Sequence, residues 1–376
     1  MKTVEALIIG GGLVGAAIGY GLAQRGLRAV ILDEGDVAFR AARGNFGLVW
    51  VQGKGANATP YARWTQRSAA LWPDFAAELA ERTGIDVQLS QPGGLQLCLS
   101  EAEFEARRAK MAALAAQAGS SFEYEILGRN ALARLVPGLG PEVVGGSWSP
   151  HDGHLDPLRL LRALLTAFQG EGGRLITGQR AKTIAADGAG FRIKTESTTF
   201  HAARLVLAAG LGNARLAPPL GLRQPVHPEK GQVLVTERVA PFLEMPTTHV
   251  RQTGDGTVLL GDSKEDAGFD VSSSPQILRK IADRARRSFP ALAHVQIVRS
   301  WAALRVMTPD GLPVYDASTK HPGAFAAACH SGVTLAAVHA ADLGRDIAAG
   351  SLSSALAGLG PARFERSEGG PGVQAA

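Results

Sequence analysis

Cysteine is nearly absent from this chain of 376 residues. Cys98 and Cys329 are too few for a disulfide framework, and alone they cannot hold an iron–sulfur cluster or a structural zinc. A reducing cytoplasm is therefore the expected location. Long apolar runs are missing as well, so no segment reads as a membrane span. The apolar N-terminus has no small-residue cleavage site behind a basic region and is not read as a signal peptide. No internal repeat and no nucleic-acid motif is found, although the formal charge is +5. The clearest basic stretch, residues 279–287 (RKIADRARR), reads first as a solvated helix face and second as a surface for an acidic partner. At 45% hydrophobic, 6% aromatic and 19% charged the composition is that of an ordinary soluble globular protein, long enough for two domains.

The informative stretch is the beginning. Residues 4–9 are an apolar, β-branched run that suits a buried parallel strand. Gly10, Gly12 and Gly15 follow in G-x-G-x-x-G spacing. In that pattern the first glycine allows a tight turn, the second lets a pyrophosphate approach the backbone, and the third lets helix and strand pack closely. A helix starting near Leu13 would direct free N–H groups at the pyrophosphate. Residues 28–32 read as the next strand, with Asp33 and then Glu34 at its end, where an acid accepts from a ribose. On these residues alone the dinucleotide can be NAD or FAD.

Residues 39–57 form a glycine-rich, irregular loop in which Arg43 could offer a fork of donors to phosphate and Asn45 could reach a cofactor oxygen. Trp64, Ser68, Leu71, Phe75 and Leu79 keep helical spacing, predicting a helix over 61–83 capped by Gly84. Residues 87–100 read as a hairpin about Pro92-Gly93-Gly94, and 101–119 as a helix. In HDGHLDP, at 151–157, Asp156 is a good N-cap and Pro157 a good first-turn residue. Its apolar face would carry Leu158, Leu161, Leu164, Leu165 and Phe168. His151, Asp152 and His154 as metal ligands is the weaker alternative to a capped loop. A meander about 191–195 leads to a buried strand at 204–210, which returns to the nucleotide domain. Residues 224–236 and 248–263 are β-rich, 274–290 helical, and 338–349 a last helix; the tail beyond Gly358 reads as loose.

The fold class that follows is α/β: a discontinuous Rossmann-like domain plus a substrate domain with a large antiparallel β-sheet and flanking helices. The expected boundaries are 1–85, 151–220 and 301–360 for the first, 86–150 and 221–300 for the second, and 361–376 for the tail.

Taken together, GGGLVG with Asp33, DGHLDP, VLAAG, PEKGQ, RQTGDGTVLLGDS, WAALRVMTPDGLP and CHSGVTLA resemble, in the same order, the flavoprotein family of D-amino-acid, glycine and sarcosine oxidases. The loop RGNFGLVWVQGKG and the short CHSGVTLA look most like those of the opine oxidase B subunits and the hydrogen cyanide synthase C subunits. The resemblance implies non-covalent FAD. It carries Gly10, Gly12, Gly15 and Asp33 to the ADP motif. Gly44, Asn45 and Gly47 go to the loop passing the pyrophosphate and flavin, and Ala181 to the neighbourhood of the adenine. Ala209 and Gly210 go to the second cofactor-facing strand, and Gly332, Val333 and Thr334 to amides at the flavin pyrimidine edge. Arg305 falls where the family clamps a substrate carboxylate, and His330 would lie beside the flavin, with His249 near the substrate. Cys329 stands where the family has glycine, and the covalent flavin cysteine of sarcosine oxidases has no counterpart. The implied reaction removes a hydride from the carbon beside an amine, to flavin N5. The imine formed hydrolyses to a keto acid and an amine. Opines, D-amino acids and glycine derivatives are the substrates implied. Partner chains carrying iron–sulfur or flavin centres are also implied. A NAD(P) enzyme and a non-catalytic flavin subunit are the alternatives.

Overall fold

The computed structural model describes residues 4–35, 41–119 and 122–365. Its centre is Val4–Ile9, whose last four residues are buried. This strand runs parallel to Ala29–Leu32 on one side and to Thr199–Leu207 on the other, so Ile8 lies opposite Ile31 and Val206. Across the sheet the order is Val314–Ala317, Ala324–Ala328, Thr199–Leu207, Val4–Ile9, Ala29–Leu32, Arg174–Ile176. The central parallel strands Val4–Ile9 and Ala29–Leu32 are covered on both faces, which is why they read as apolar runs. Ala6 and Ile8 join the core beneath the helices Leu13–Ala23 and Pro157–Gly170 and the helical stretch 336–349. Leu7 and Ile9 join a second core with Ile184, Phe191 and Ile193 of the meander Thr183–Asp187 and Gly190–Lys194.

The helix Pro157–Gly170 begins as its sequence predicts. The Asp156 carboxylate accepts from the N–H groups of Leu158 and Arg159 at 2.8 and 3.0 Å. Its apolar face differs in one residue. Leu158 is 54% exposed, while Leu160 takes the buried place. The predicted hairpin at 87–100 does not form. Gln88 turns the chain at φ 57°, with the Asp86 carboxylate accepting from its N–H at 2.7 Å. Only Gly94–Cys98 is a strand, and it pairs with Gly145–Ser149. Before Gly94 the chain pairs elsewhere: Ser90 exchanges backbone hydrogen bonds with His154 at 2.9 and 2.8 Å.

The second large sheet is antiparallel, in the order Val250–Gln252, Thr257–Leu260, His227–Arg238, Ile297–Met307. Residues 301–307, expected in the nucleotide domain, lie in this sheet instead. The twelve-residue strand His227–Arg238 pairs with Ile297–Met307 from His227 opposite Met307 to Thr236 opposite Ile297, and so holds 301–307 in this sheet. The basic helix Pro275–Ser288 keeps Arg279, Lys280 and Arg286 exposed, as a solvated face does, while Arg284 pairs with Glu103 at 2.9 Å and Arg287 with Glu142 at 2.7 Å. The tail is ordered further than expected. Pro361–Phe364 forms a 3-10 turn, Phe364 is buried, and Arg363 pairs with Asp310 at 2.6 Å. The rest of the expected tail, 366–376, lies outside the described residues, as do Phe39 and Arg40 of the cofactor loop. No helix among the described residues is long and apolar enough to cross a membrane.

Burial holds two histidines neutral. His339 accepts from or donates to Tyr315 Oη at 2.8 Å and is pushed down to about 3 by burial. His154, buried beside Arg251, is pushed down to about 4, burial first and the arginine charge second. Their ordinary value is 6.5. Between that value and about 4 the unfolded chain takes up protons that the folded chain refuses, so unfolding is favoured as pH falls. We expect the urea midpoint to drop from pH 7 to pH 5, and His339→Gln to flatten part of that drop. A midpoint that is level over this range in the parent protein contradicts the assignment.

Candidate functional site

The turn after Val4–Ile9 is closed by backbone contact. Gly10 has φ +106°, and a Cβ there would meet Ala208 O at 2.4 Å. A Cβ on Gly15 would meet Gly10 O at 1.9 Å, so the helix Leu13–Ala23 can approach the strand only with glycine there. Gly12 differs from both: a Cβ on it meets no atom within 4 Å. It faces a cavity of about 380 Å³, also lined by Asp33, Glu34, Ala181, Ala209, Gly210 and Gly332. The Asp33 carboxylate accepts from the N–H of Gly11 at 2.7 Å and of Gly35 at 2.8 Å, which fixes it at the cavity wall. Glu34 pairs with Arg180 at 3.2 Å. The carbonyl of Ala181 accepts from Arg215 at 3.0 Å.

A second cavity, of about 420 Å³, adjoins the first at Ala41, Asn45 and His330. Gly44, Val333 and Thr334 line it, as do Arg305, His249 and His330. The loop 331–335 is held from behind. Ser68 and Trp72 donate to Thr334 O at 2.6 and 3.0 Å, and Thr334 Oγ1 accepts from Trp50 N at 3.1 Å. Among the described residues the N–H groups of Gly332, Val333 and Thr334 have no protein acceptor. They are donors available to a ligand.

Three residues of the predicted set line neither cavity: Gly15, which packs against Gly10 O, and Arg43 and Gly47. Arg43 is exposed. Gly47 lies against backbone, where a Cβ would meet Leu155 O at 2.4 Å, and its N–H donates to Asn45 Oδ1 at 2.8 Å. Its glycine is required by packing, and the Asn45 side chain is turned to that local bond. His151, Asp152 and His154 do not form a ligand set, and no metal cluster exists among the described residues. Asp152 is instead a buried clamp, accepting from the N–H of Val51 and, at 3.3 Å, of Gln52.

In the second cavity Arg305 is not a free clamp. Its Nη1 donates to Glu229 at 3.0 Å and to Ser263 O at 2.8 Å, and its Nη2 to Asp262 at 2.6 Å. The pairing of Glu229 with Arg305 follows from sheet register. His249 Nδ1 lies 3.1 Å from Gly261 O, and burial, then Arg284, pushes this imidazole down. Lys54, which sequence reasoning missed, also lines the cavity, with Nζ 2.7 Å from His330 Nε2. Burial, then Lys54, Arg305 and Lys264, pushes His330 well below its usual range. Lys54 is pushed down to about 8, by burial first and the Lys110 charge next. The only sequence signal for Lys54 was its place between two glycines in the cofactor loop.

Residues 5–345 match the DAO family, described as FAD dependent oxidoreductase. The chain belongs to this family. It is 45% identical over 365 residues to the B subunit of opine oxidase from Agrobacterium tumefaciens (strain Ach5), covering 97% of this chain and 98% of that one. It is 27% identical over 408 residues to the HcnC subunit of hydrogen cyanide synthase from Pseudomonas aeruginosa, covering 97% of each. Its fold superposes on the crystal structure of glycine oxidase from Geobacillus kaustophilus with a TM-score of 0.86 at 27% identity, covering 94% and 96% of the two chains. Membership of the DAO family settles the choice the fingerprint left open: the dinucleotide is FAD. The open cradle at Gly12 and the unused donors of 332–334 suit such a group.

The glycines separate binding from folding. Gly12→Val should leave the far-ultraviolet spectrum of the purified protein unchanged and abolish bound flavin absorbance. Gly15→Val should lower stability and yield. Full flavin occupancy in Gly12→Val contradicts the placement of the pyrophosphate.

Proposed function

We propose that this DAO-family enzyme oxidises the carbon bearing an amine in a small carboxylate-containing substrate, with opine-like secondary amines first and D-amino acids and glycine derivatives next. The observation that carries this is the junction of the two cavities: one is built on the dinucleotide fingerprint, and the other, sharing His330 with it, gathers Arg305, Lys54 and His249. FAD, bound across the junction, would supply a two-electron acceptor. The ADP part is assigned to Gly10, Gly12, Gly15, Asp33, Glu34, Ala181, Ala209, Gly210 and Gly332. Its ring is assigned to the cavity walls at Gly44, Asn45, Val333 and Thr334. Non-covalent attachment is supported by Cys329, which is buried and pushed up to about 12 by that burial, away from thiolate reactivity.

Arg305 orients the substrate. Glu229, Asp262 and Ser263 hold its guanidinium plane in place and leave donors on Nη2 and Nε. A carboxylate bound there fixes which C–H bond faces the acceptor. His249 and His330, both neutral by burial, close the cavity without adding positive charge. The first two relatives named above are subunits by name, and this chain's two cysteines are both buried and cannot bind a cluster. Both points support electron transfer onward to partner chains.

Anaerobic mixing of the FAD-loaded protein with a panel of opines, D-amino acids, glycine and N-methylglycine tests the reading. One of them should bleach the flavin absorbance without added nicotinamide; no bleaching by any contradicts it. Arg305→Lys should keep the flavin and weaken the apparent Kd for that substrate by about 10- to 100-fold, the size of a lost bidentate charged contact. An unchanged Kd makes Arg305 a structural pillar only. Slow peroxide formation in air, despite fast bleaching, is expected if partner chains take the electrons.

A further inference from the structure

Lys54 is placed too carefully to be a solvent-facing lysine. The loop that carries it is pinned from three directions. Asp152 accepts from the N–H groups of Val51 and Gln52, Gln52 Nε2 donates to Gly94 O at 2.8 Å, and Ser147 donates to Gln52 Oε1 at 2.6 Å. Lys54 N itself donates to Val51 O at 3.0 Å. The side chain then ends at His330 Nε2, in the wall of the outer cavity.

The groups around it are mostly cationic. Lys110 faces it from the helix Glu101–Ala118, Arg305 from the strand Ile297–Met307, and Lys264 from the segment after Thr257–Leu260. Cys329 lies at the end of Ala324–Ala328, and Tyr61, from Thr59–Thr83, reaches His330 through Ser331 at 2.6 and 3.4 Å. Asp262 lines the same cavity, but it and Glu229 are engaged by Arg305. Among the described residues no carboxylate pairs with Lys54. A lysine partly buried among cations, with only a neutral imidazole as partner, gives up its proton readily.

We propose that Lys54, oriented by His330, is the base that takes the proton from the substrate ammonium before its C–H bond breaks. The proposal rests on the amine-oxidation reading above. In the step, an N–H bond of the substrate ammonium breaks and its electron pair stays on nitrogen. The proton bonds to Lys54 Nζ, which becomes an ammonium and donates to His330 Nε2. FAD, when bound, would supply the acceptor for the Cα–H and both its electrons, and the freed nitrogen lone pair closes the C=N bond. Lys54 returns its proton to water through the cavity. His330 is a positioning residue here, since a neutral imidazole accepts from Lys54 whether Lys54 is charged or not.

Two substitutions separate this role from simple anchoring of a substrate carboxylate. Lys54→Arg keeps the cation and a donor to His330 but cannot deprotonate in the working range. Lys54→Met removes both. In the FAD-loaded protein, anaerobic bleaching by the fastest amine of the panel should rise with pH in the parent and level off near pH 8. Lys54→Arg should keep the substrate Kd within about threefold, lose about 100-fold in bleaching rate at pH 7.5, and approach the parent rate above the amine's own pKa. A second readout needs no turnover: the Nζ resonance of Lys54 in ¹⁵N-lysine-labelled protein, assigned by its loss in Lys54→Met, should titrate near 8. Parent-like pH profiles in both variants, or an Nζ midpoint above about 10, overturn the role of Lys54 alone. Retention of rate with a large loss of Kd in Lys54→Met makes it an anchor and also overturns the proposal. If no amine bleaches the parent protein, the amine reading falls and this proposal with it.

Discussion

The strand Val4–Ile9 and the helix Leu13–Ala23 approach so closely that no side chain fits between them at Gly15. That contact fixes the angle at which the helix leaves the sheet, and with it the open space above Gly12. Residues 205–207 and Ala29–Leu32 flank the first strand where all three are apolar and buried. Ala208, at the end of one neighbour, then closes against Gly10. The phosphate side of the site is thus a consequence of backbone packing, with few side chains involved.

The chemical side is made differently. There the chain brings together segments that are remote in sequence. Residues 50–54 are clamped by Asp152, residues 329–334 by Ser68, Trp72 and Trp50, and Arg305 by the register of the second sheet. The result is a cavity in which the arginine is already paired with Glu229 and Asp262, while Lys54 has, among the described residues, an imidazole and no carboxylate as its side-chain partner. An ion pair set in place before substrate arrives resists reorientation, and a lysine without an acid is the more easily titrated group. In the proposed reaction, holding a carboxylate falls to Arg305 and accepting a proton to Lys54.

The contiguous parts of this arrangement were legible in the sequence. The fingerprint from Gly10 to Gly15, the acid at Asp33, the cap at Asp156 and the end of the helix at Gly84 each depend on residues within one turn or one strand end. What was not legible depends on which segment meets which. Gly94–Cys98 looked like half of a hairpin because its true partner, Gly145–Ser149, comes after two intervening helices and a strand. Arg305 looked like a free clamp because nothing local reveals that Glu229 lies opposite it. Gly47 passed for a cofactor glycine although backbone contact with Leu155 explains it. Lys54 resembled any loop lysine until the chain closed His330 onto it.

The account turns on where the ring of FAD sits relative to His330. The direct measurement is a crystal structure of the FAD-loaded protein with a non-oxidisable amine carboxylate bound. The ring should lie against Val333 and Thr334, with the ligand's carboxylate at Arg305 and its nitrogen within hydrogen-bond distance of Lys54 Nζ. A ring lying outside the cavity that holds Arg305, Lys54 and His330, or a ligand whose nitrogen points away from Lys54, would contradict the account.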